Sequence, residues 1–481
     1  MRHNGMTGLL TSLALFAALP ATAQTPPADV TPPAPSTPPP PASPTPGGGL
    51  WQRANLLGEM GGLRPALDRY GLSLGISEIS EVLGNVTGGV RRGADYDGLT
   101  TMSLRLDTAK AFGWPGGSAY VSALQIHGRS LSSDTLDTLQ TASGIESERA
   151  TRLWELWFDQ AFLGGRLDVK FGQQAIDQEF MLSQYSALFV NTVMGWPMLP
   201  SADLYAGGPA YPLSSLGVRL QVKAGDTVTL RGGVFDDNPP GGPFDDDSQL
   251  RRREAAGAAF NLNTGALWIG EVQYAAHQSP AAACASLACG LPGTYKLGFW
   301  YDSGSFPDQR FGSDGLSLAN PAGSGNPLMH HGNFSFYAMA DQMVWRQPQG
   351  ARAVGVFVRA MAAPADRNLI DASLDAGVTV TAPLPGRDGD TFGIGYGWAH
   401  VSPRAAGLDS DTARFGGSPY PVRGAEQFVE LTYQFQAAPW WMVQPDLQYV
   451  LNPGGGIADP NRPGHRVASE LVLGLRTAIT F

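Results

Sequence analysis

Long hydrophobic runs are missing from this chain of 481 residues. Past its first segment, no stretch approaches the roughly 18 apolar residues a membrane-spanning helix needs, which excludes a helical membrane protein. Charge is sparse and leans acidic, with 42 Asp and Glu against 32 Lys and Arg, so nucleic acid is not an expected partner. Cysteine is nearly absent. Cys284 and Cys289 lie close together in 279–291. With no His nearby they make a poor zinc site, and in an exported chain a small loop-closing disulfide is the expected state. The histidines are scattered, and the adjacent pair His330-His331 would point apart on a strand, so no metal is expected. No G-x-S-x-G elbow and no H-E-x-x-H pair occur. His127 shares a predicted face with Gln125 and Arg129, but no Ser/His/Asp set accompanies it. The reading is therefore a non-enzyme without cofactors.

The chain opens with an address. Arg2 supplies a positive start, 9–19 is apolar, and Ala21-Thr22-Ala23 is an A-x-A cleavage site before Gln24. Residues 1–23 read as a secretory signal peptide. An export signal without a spanning helix fits a soluble secreted protein or a β-barrel. Residues 24–49 form a Pro-rich tract ending in glycines, an extended linker rather than a core. On a barrel it would lie in the periplasm as a tether or as a contact to peptidoglycan. Residues 50–69 form a short N-terminal segment with helical character, and 70–481 carry strand signals to the last residue.

The final segment decides between the alternatives. Leu471, Leu473, Leu475, Thr477, Ile479 and Phe481 alternate with Val472, Gly474, Arg476, Ala478 and Thr480. One face is mostly apolar and ends on an aromatic, as a lipid-facing band with its aromatic girdle requires. A soluble sandwich edge would fit this segment alone. Similar stretches are expected at 70–82, 99–110, 117–129, 151–162, 165–173, 214–223, 226–236, 258–277, 293–303, 333–346, 352–363, 371–382, 389–401, 425–436, 439–451 and 467–481. That is about sixteen, the even number that a single-chain bacterial barrel needs. The connections alternate short and long. The long ones are 83–98, 130–150, 174–213, 237–257, 304–332 and 402–424. The parity holds if 258–277 is one strand with a bulge at 263–265, which places the cysteine loop on the periplasmic side. The fold class is therefore all-β, a transmembrane antiparallel β-barrel with long extracellular loops. A soluble propeller is the alternative, but no blade-length repeat is visible.

Alternation also sorts the faces. Arg105 and Asp107 oppose Met102, Leu104 and Leu106. Arg219 opposes Val218 and Leu220, Arg231 opposes Leu230, Glu430 opposes Val429 and Leu431, and Asp446 opposes Val443 and Leu447. Polar faces turned inward describe a wet lumen. In 151–162, Trp154, Leu156 and Phe158 are expected to share the lipid face, leaving Glu155, Trp157 and Asp159 for the lumen. An indole between two carboxylates suits a pyranose, whose C–H face stacks on aromatics while its hydroxyls take hydrogen bonds. The alternative is that Trp157 packs under a loop and the charges pair among themselves. The longest connection, 174–213, carries Asp177, Glu179, Asn191 and Trp196 among several aromatics. It is expected to fold into the barrel and set a constriction, with a surface-capping loop as the alternative.

Several motifs resemble a known family. Phe171-Gly172-Gln173-Gln174, Asp177-Gln178-Glu179-Phe180, Gly207-Gly208-Pro209-Ala210-Tyr211-Pro212, Asp341-Gln342, Asp366-Arg367-Asn368, Gln444-Pro445-Asp446-Leu447-Gln448-Tyr449 and Asn452-Pro453-Gly454-Gly455 resemble the carbohydrate-selective porins of the OprB type. The resemblance covers about 51–481. It implies a sixteen-stranded channel of the Gram-negative outer membrane, set in lipid and lipopolysaccharide, for glucose and related sugars. Passive, substrate-selective sugar diffusion is the leading reading. A general or cation-leaning solute porin, a barrel enzyme and a structural barrel anchoring the envelope are the alternatives.

Overall fold

The computed structural model describes residues 49–246, 248, 249, 255–278, 290–348, 350–462 and 464–481. The leader 1–23, nearly all of the Pro-rich tract, and Cys284 and Cys289 lie outside the described residues.

Sixteen strands close into one antiparallel barrel. They are β1 (Leu72–Thr87), β2 (Gly93–Asp107), β3 (Gly117–Gly128), β4 (Ala150–Phe162), β5 (Leu167–Gln174), β6 (Ser215–Ala224), β7 (Val228–Phe235) and β8 (Leu267–Ala276). The second half comprises β9 (Gly293–Gly312), β10 (Pro327–Arg346), β11 (Ala353–Ala362), β12 (Ile370–Thr381), β13 (Thr391–Val401), β14 (Ala425–Ala438), β15 (Trp441–Leu451) and β16 (Glu470–Thr480).

The alternation of the last segment closes the barrel. β16 pairs with β1 from Ser77↔Thr480 to Thr87↔Leu471. Leu473 and Leu475 stay exposed on the outside, while Val472 is buried inside with Leu83. On the lumen side, Arg476 Nε lies 2.8 Å from Glu81 Oε2 across the seam. At the periplasmic rim, Phe481 N donates to Ile76 O at 2.9 Å and Leu56 N to Thr480 O at 2.8 Å. Trp51, Trp440 and Trp441 stack beside them. Residues 50–68 form short 3-10 turns and the helix Leu63–Asp68, separated by Gly61 and Gly62 at positive φ. A closed ladder offers detergent no free edge. The unboiled protein should therefore run faster on a gel than the boiled one. Deleting Phe481 should reduce the yield of the fast form, and an unchanged yield would count against its role in closure.

The outer face is apolar and exposed, with Met102, Leu156, Phe171, Val218, Leu297 and Phe336 among its side chains. A polar patch interrupts it on β1–β3. There Thr100 Oγ1 donates to Glu78 at 2.5 Å, and His127 Nε2 lies 3.5 Å from the same carboxylate. His127 thus points away from the lumen, in phase with exposed Val82 and Met102 across the register.

Four expectations need correction. Residues 83–98 are not a long connection. The pairing continues from Leu83↔Asp95 to Asn85↔Gly93, because glycines that look like turn punctuation sit within the ladder. Strand β8 begins at Leu267, so 258–266 belongs to the preceding extracellular connection rather than to a bulged strand. The count of sixteen stands without the bulge. Strands β9 and β10 project further than expected and leave 313–326 as their loop, and 402–424 contains the helix Pro403–Gly416. Finally, Trp154 does not face lipid. The register slips between Ser122↔Glu155 and Ala123↔Leu153, a bulge that turns Trp154 inward beside Glu155. Trp154 is buried and its Nε1 donates to Leu213 O at 3.1 Å.

Candidate functional site

The β5–β6 connection, 175–214, folds into the barrel. Its apolar residues Phe180, Leu188, Phe189, Met194, Trp196 and Leu199 are buried in one cluster with Phe235, Ile269, Trp300, Tyr337 and Phe357 of the wall. The wall is made of glycine where the loop comes closest. A Cβ on Gly355 would fall 2.2 Å from Tyr185, and one on Gly393 2.6 Å from Leu188. A Cβ on Gly395 would fall 2.8 Å from Phe189. These glycines stand on the inward face of β11 and β13, so a larger residue would push the loop toward the lumen.

Polar side chains of the wall then hold the loop backbone. Glu430 accepts from Val190 N at 2.6 Å and Asn191 N at 3.2 Å. Asp341 accepts from Ser183 Oγ at 2.5 Å and Gln184 N at 3.0 Å, and Glu271 accepts from Met181 N at 3.1 Å. Lys296 Nζ donates to Leu182 O at 2.6 Å. Arg359 donates to Met181 O at 3.0 Å, to Gly195 O at 3.2 Å and to Val193 O, and is paired with Asp375 at 2.9 Å. Carboxylates grip N–H groups and cations grip carbonyls, which satisfies a buried non-repetitive backbone.

One acidic residue of the loop is tied to three cations. Glu179 contacts Arg219 Nε at 2.6 Å, Arg231 Nε at 3.9 Å and Lys170 Nζ. Arg219 also reaches Asp168, and Asp159 at 3.7 Å. Arg231 is fixed by Gln221 Oε1 at 2.5 Å. Burial pushes the Glu179 carboxyl up, but Lys170, Arg219 and Arg231 pull it back further, down to about 2. Asp177 has no such neighbours. Burial pushes it up to about 6, against the hydrogen bond from Tyr211 N at 3.1 Å.

The wall beside this knot is partly open. Trp157 stacks on Tyr120 with centroids 5.0 Å apart, and Lys170 Nζ lies 4.4 Å from the indole centroid. Tyr120 on β3 and Lys170 on β5 thus flank the indole from both neighbouring strands. Trp157, Tyr120, Arg105 and Asp159 are half-buried. On the loop, Gln184 and Ala187 remain exposed while their neighbours are covered.

The sequence-selected residues therefore divide. Trp157, Asp159, Arg219, Arg231 and Glu179 come together, with Glu155 buried next to them, where it accepts from Ala175 N at 3.3 Å. Arg105 lies further along the same wall. Glu430 and Asp446 sit on the opposite side. Asp446 accepts from Gln448 Nε2 at 3.0 Å, and both are buried behind the loop. Asn191 caps a helical turn of the loop and donates to Gln448 at 3.0 Å, while Trp196 Nε1 donates to Gly207 O at 2.9 Å. Asp107 is not in this group: it caps the periplasmic helix Thr108–Phe112, accepting from Ala109 N at 2.8 Å. Sequence reading missed Lys170, Tyr120, Arg359 and Asp375. Their signal was available, since each occupies a lumen-facing position by alternation. Among the described residues no three His, Cys, Asp or Glu side chains are grouped to hold a metal.

The chain is similar to known proteins along most of its length. The model of the "Carbohydrate-selective porin, OprB family" matches residues 91–481. Porin B of Pseudomonas aeruginosa is 24% identical over 451 residues, 89% of this chain and 91% of that protein. The putative porin QuiX of Acinetobacter baylyi is 24% identical over 419 residues, 83% of this chain and 89% of that one. Among solved structures, OprB of Pseudomonas putida at high pH shares the fold with a TM-score of 0.76 at 22% identity, covering 89% of this chain and 99% of that one.

Proposed function

The chain belongs to the OprB family of carbohydrate-selective porins, channels of the Gram-negative outer membrane, and from that premise we propose where in this barrel the sugar passes. The path runs between the exposed edge of the inner loop, at Gln184 and Ala187, and the β2–β5 wall carrying Arg105, Tyr120, Trp157 and Asp159. The observation that carries the reading is the rigid Tyr120–Trp157 stack beside the Glu179 knot. Stacked aromatics give a neutral sugar an apolar surface, and flanking cations and carboxylates serve its hydroxyls as donors and acceptors. Binding of this kind is weak and multi-point, enriching entry without trapping the solute. The preferred substrates are glucose and related neutral sugars rather than ions, because Lys170, Arg219, Arg231, Glu179 and Asp159 beside the path are already paired with one another. The channel has no catalytic role.

The test is a pair of adjacent substitutions. Trp157→Ala should weaken sugar block of single-channel current by on the order of 1 kcal/mol, a typical aromatic stacking energy, and leave salt conductance similar or higher. Phe158→Ala, on the lipid side against Phe171 and Trp114, should leave sugar block unchanged. If the two results are exchanged, the assigned path is wrong. Liposome swelling should likewise be faster with glucose than with charged solutes of similar size.

A further inference from the structure

Two fully buried carboxylates meet at the extracellular end of the barrel. Asp237 opens the β7–β8 connection and Asp302 faces inward on β9, and neither has exposed surface. Their carboxyls lie within hydrogen-bonding reach of each other. Two glycines make the room. A Cβ on Gly304 would fall 3.0 Å from both Asp237 Oδ2 and Asp302 Oδ1. A Cβ on Gly265 would fall 2.6 Å from Asp237 Oδ2.

One oxygen of each carboxyl is accounted for. Thr264 Oγ1 donates to Asp237 Oδ1 at 2.6 Å, and Gly304 N donates to Asp302 Oδ1 at 2.7 Å. The others, Asp237 Oδ2 and Asp302 Oδ2, are buried without a hydrogen-bond partner among the described residues. The neighbouring Asp236 is buried as well. No Lys, Arg or His among the described residues forms an ion pair with any of the three. Elsewhere on the lumen wall the buried carboxylates Glu179, Asp375 and Glu81 are each paired with a cation.

Like charges in a dry site cannot remain both ionised and uncompensated. Either a proton or a cation must join them. The free oxygens are hard, anionic donors at a face of the protein bathed by the external medium. We propose that Asp237 and Asp302 are the protein ligands of a divalent cation of the calcium type, with Thr264 orienting Asp237 and water or carbonyl oxygens completing the shell. The ion ties the β7–β8 connection to the wall. It does so beside the returning end of the inner loop, where Tyr205 OH donates to Ser305 O at 2.7 Å.

The experiment uses the folded barrel in detergent, stripped with EDTA and titrated calorimetrically with CaCl2. Wild type should bind about one ion per chain and convert to the slow gel form at a higher temperature with calcium than with EDTA. Asp237→Asn/Asp302→Asn keeps the shapes and gives each partner an amide donor, so it should stay heat-modifiable while its calcium affinity falls at least tenfold. Asp302→Asn alone is the second variant should the double one fail to fold, with the same tenfold loss expected. A wild type that binds no calcium, as a proton-sharing pair would not, overturns the proposal. So does a variant that binds as tightly as wild type, since the ion would then sit elsewhere.

Discussion

Glu179→Gln should convert the partly open wall into an anion-favouring one and loosen the loop that carries it. The substitution keeps the shape of the side chain and removes the charge shared by Lys170, Arg219 and Arg231. Asp159 and Asp168 still face Arg219, so the deficit falls mainly on Lys170 and Arg231. Breaking a buried ion pair from one side costs about 3–5 kcal/mol, because the remaining charge is stranded. In a bilayer with a KCl gradient, the reversal potential should move toward that of chloride. Acid unfolding gives an independent check. The Glu179 carboxyl is held at about 2 against its ordinary 4.5. Its contribution to stability is therefore complete above 4.5 and is lost as the pH falls from there toward 2. Asp177 has the opposite sign. With its carboxyl raised from 3.8 to about 6, its contribution is present below 3.8 and is lost as the pH rises through 6. Wild type should lose more stability than the variant between pH 4.5 and 2. The same reversal potential and the same acid limb in both proteins would remove Glu179 from this role.

How much of this was legible in the sequence differs by level. The strands were, because a lipid-facing strand must alternate. Val218-Arg219-Leu220 and Val429-Glu430-Leu431 stand in the structure as the pattern places them, with the charged residue inside and the aliphatic ones exposed. Strand ends were less legible, because Gly84, Gly88 and Gly93 have the composition of a turn, yet two of the three lie within the ladder. The inner loop was legible as a long aromatic connection. Its seat was not, because it depends on residues remote in sequence: Gly355, Gly393 and Gly395 give it room and Glu430, Asp341 and Arg359 hold it. Alternation assigns these residues to the lumen but cannot say whether they face water or a folded-in loop. Glu430 and Asp446 show the difference, since both are lumen-side and both are covered. Trp154 shows another limit. A single extra residue in a bulge reverses the face, and nothing in 151–162 marks it.

Arg359→Met should release the inner loop and with it the discrimination between small and large sugars. Arg359 is 1% exposed and bonds to three loop carbonyls, at Met181, Val193 and Gly195, on both sides of the apolar segment that seats the loop. Methionine fills similar volume and supplies no donor. The three carbonyls lose their partner, and Asp375, fully buried on β12, loses its counter-charge. The expected cost is about 3–5 kcal/mol, carried mostly by the stranded carboxylate. Arg359→Lys should recover little, because one ammonium cannot reproduce the fork that reaches Asp375 and the loop together. Arg359→Met/Asp375→Leu separates the two effects. Removing both charges should restore most of the thermal stability of the barrel, since an apolar pair can replace a buried ion pair at little net cost. It should not restore the loop, whose carbonyls still lack donors. Liposome swelling should therefore show larger saccharides entering in both the single and the double variant, while the temperature of gel conversion falls only in the single one. If the double variant excludes larger saccharides as wild type does, the apolar cluster alone seats the loop, and the Arg359 hydrogen bonds do not define the constriction.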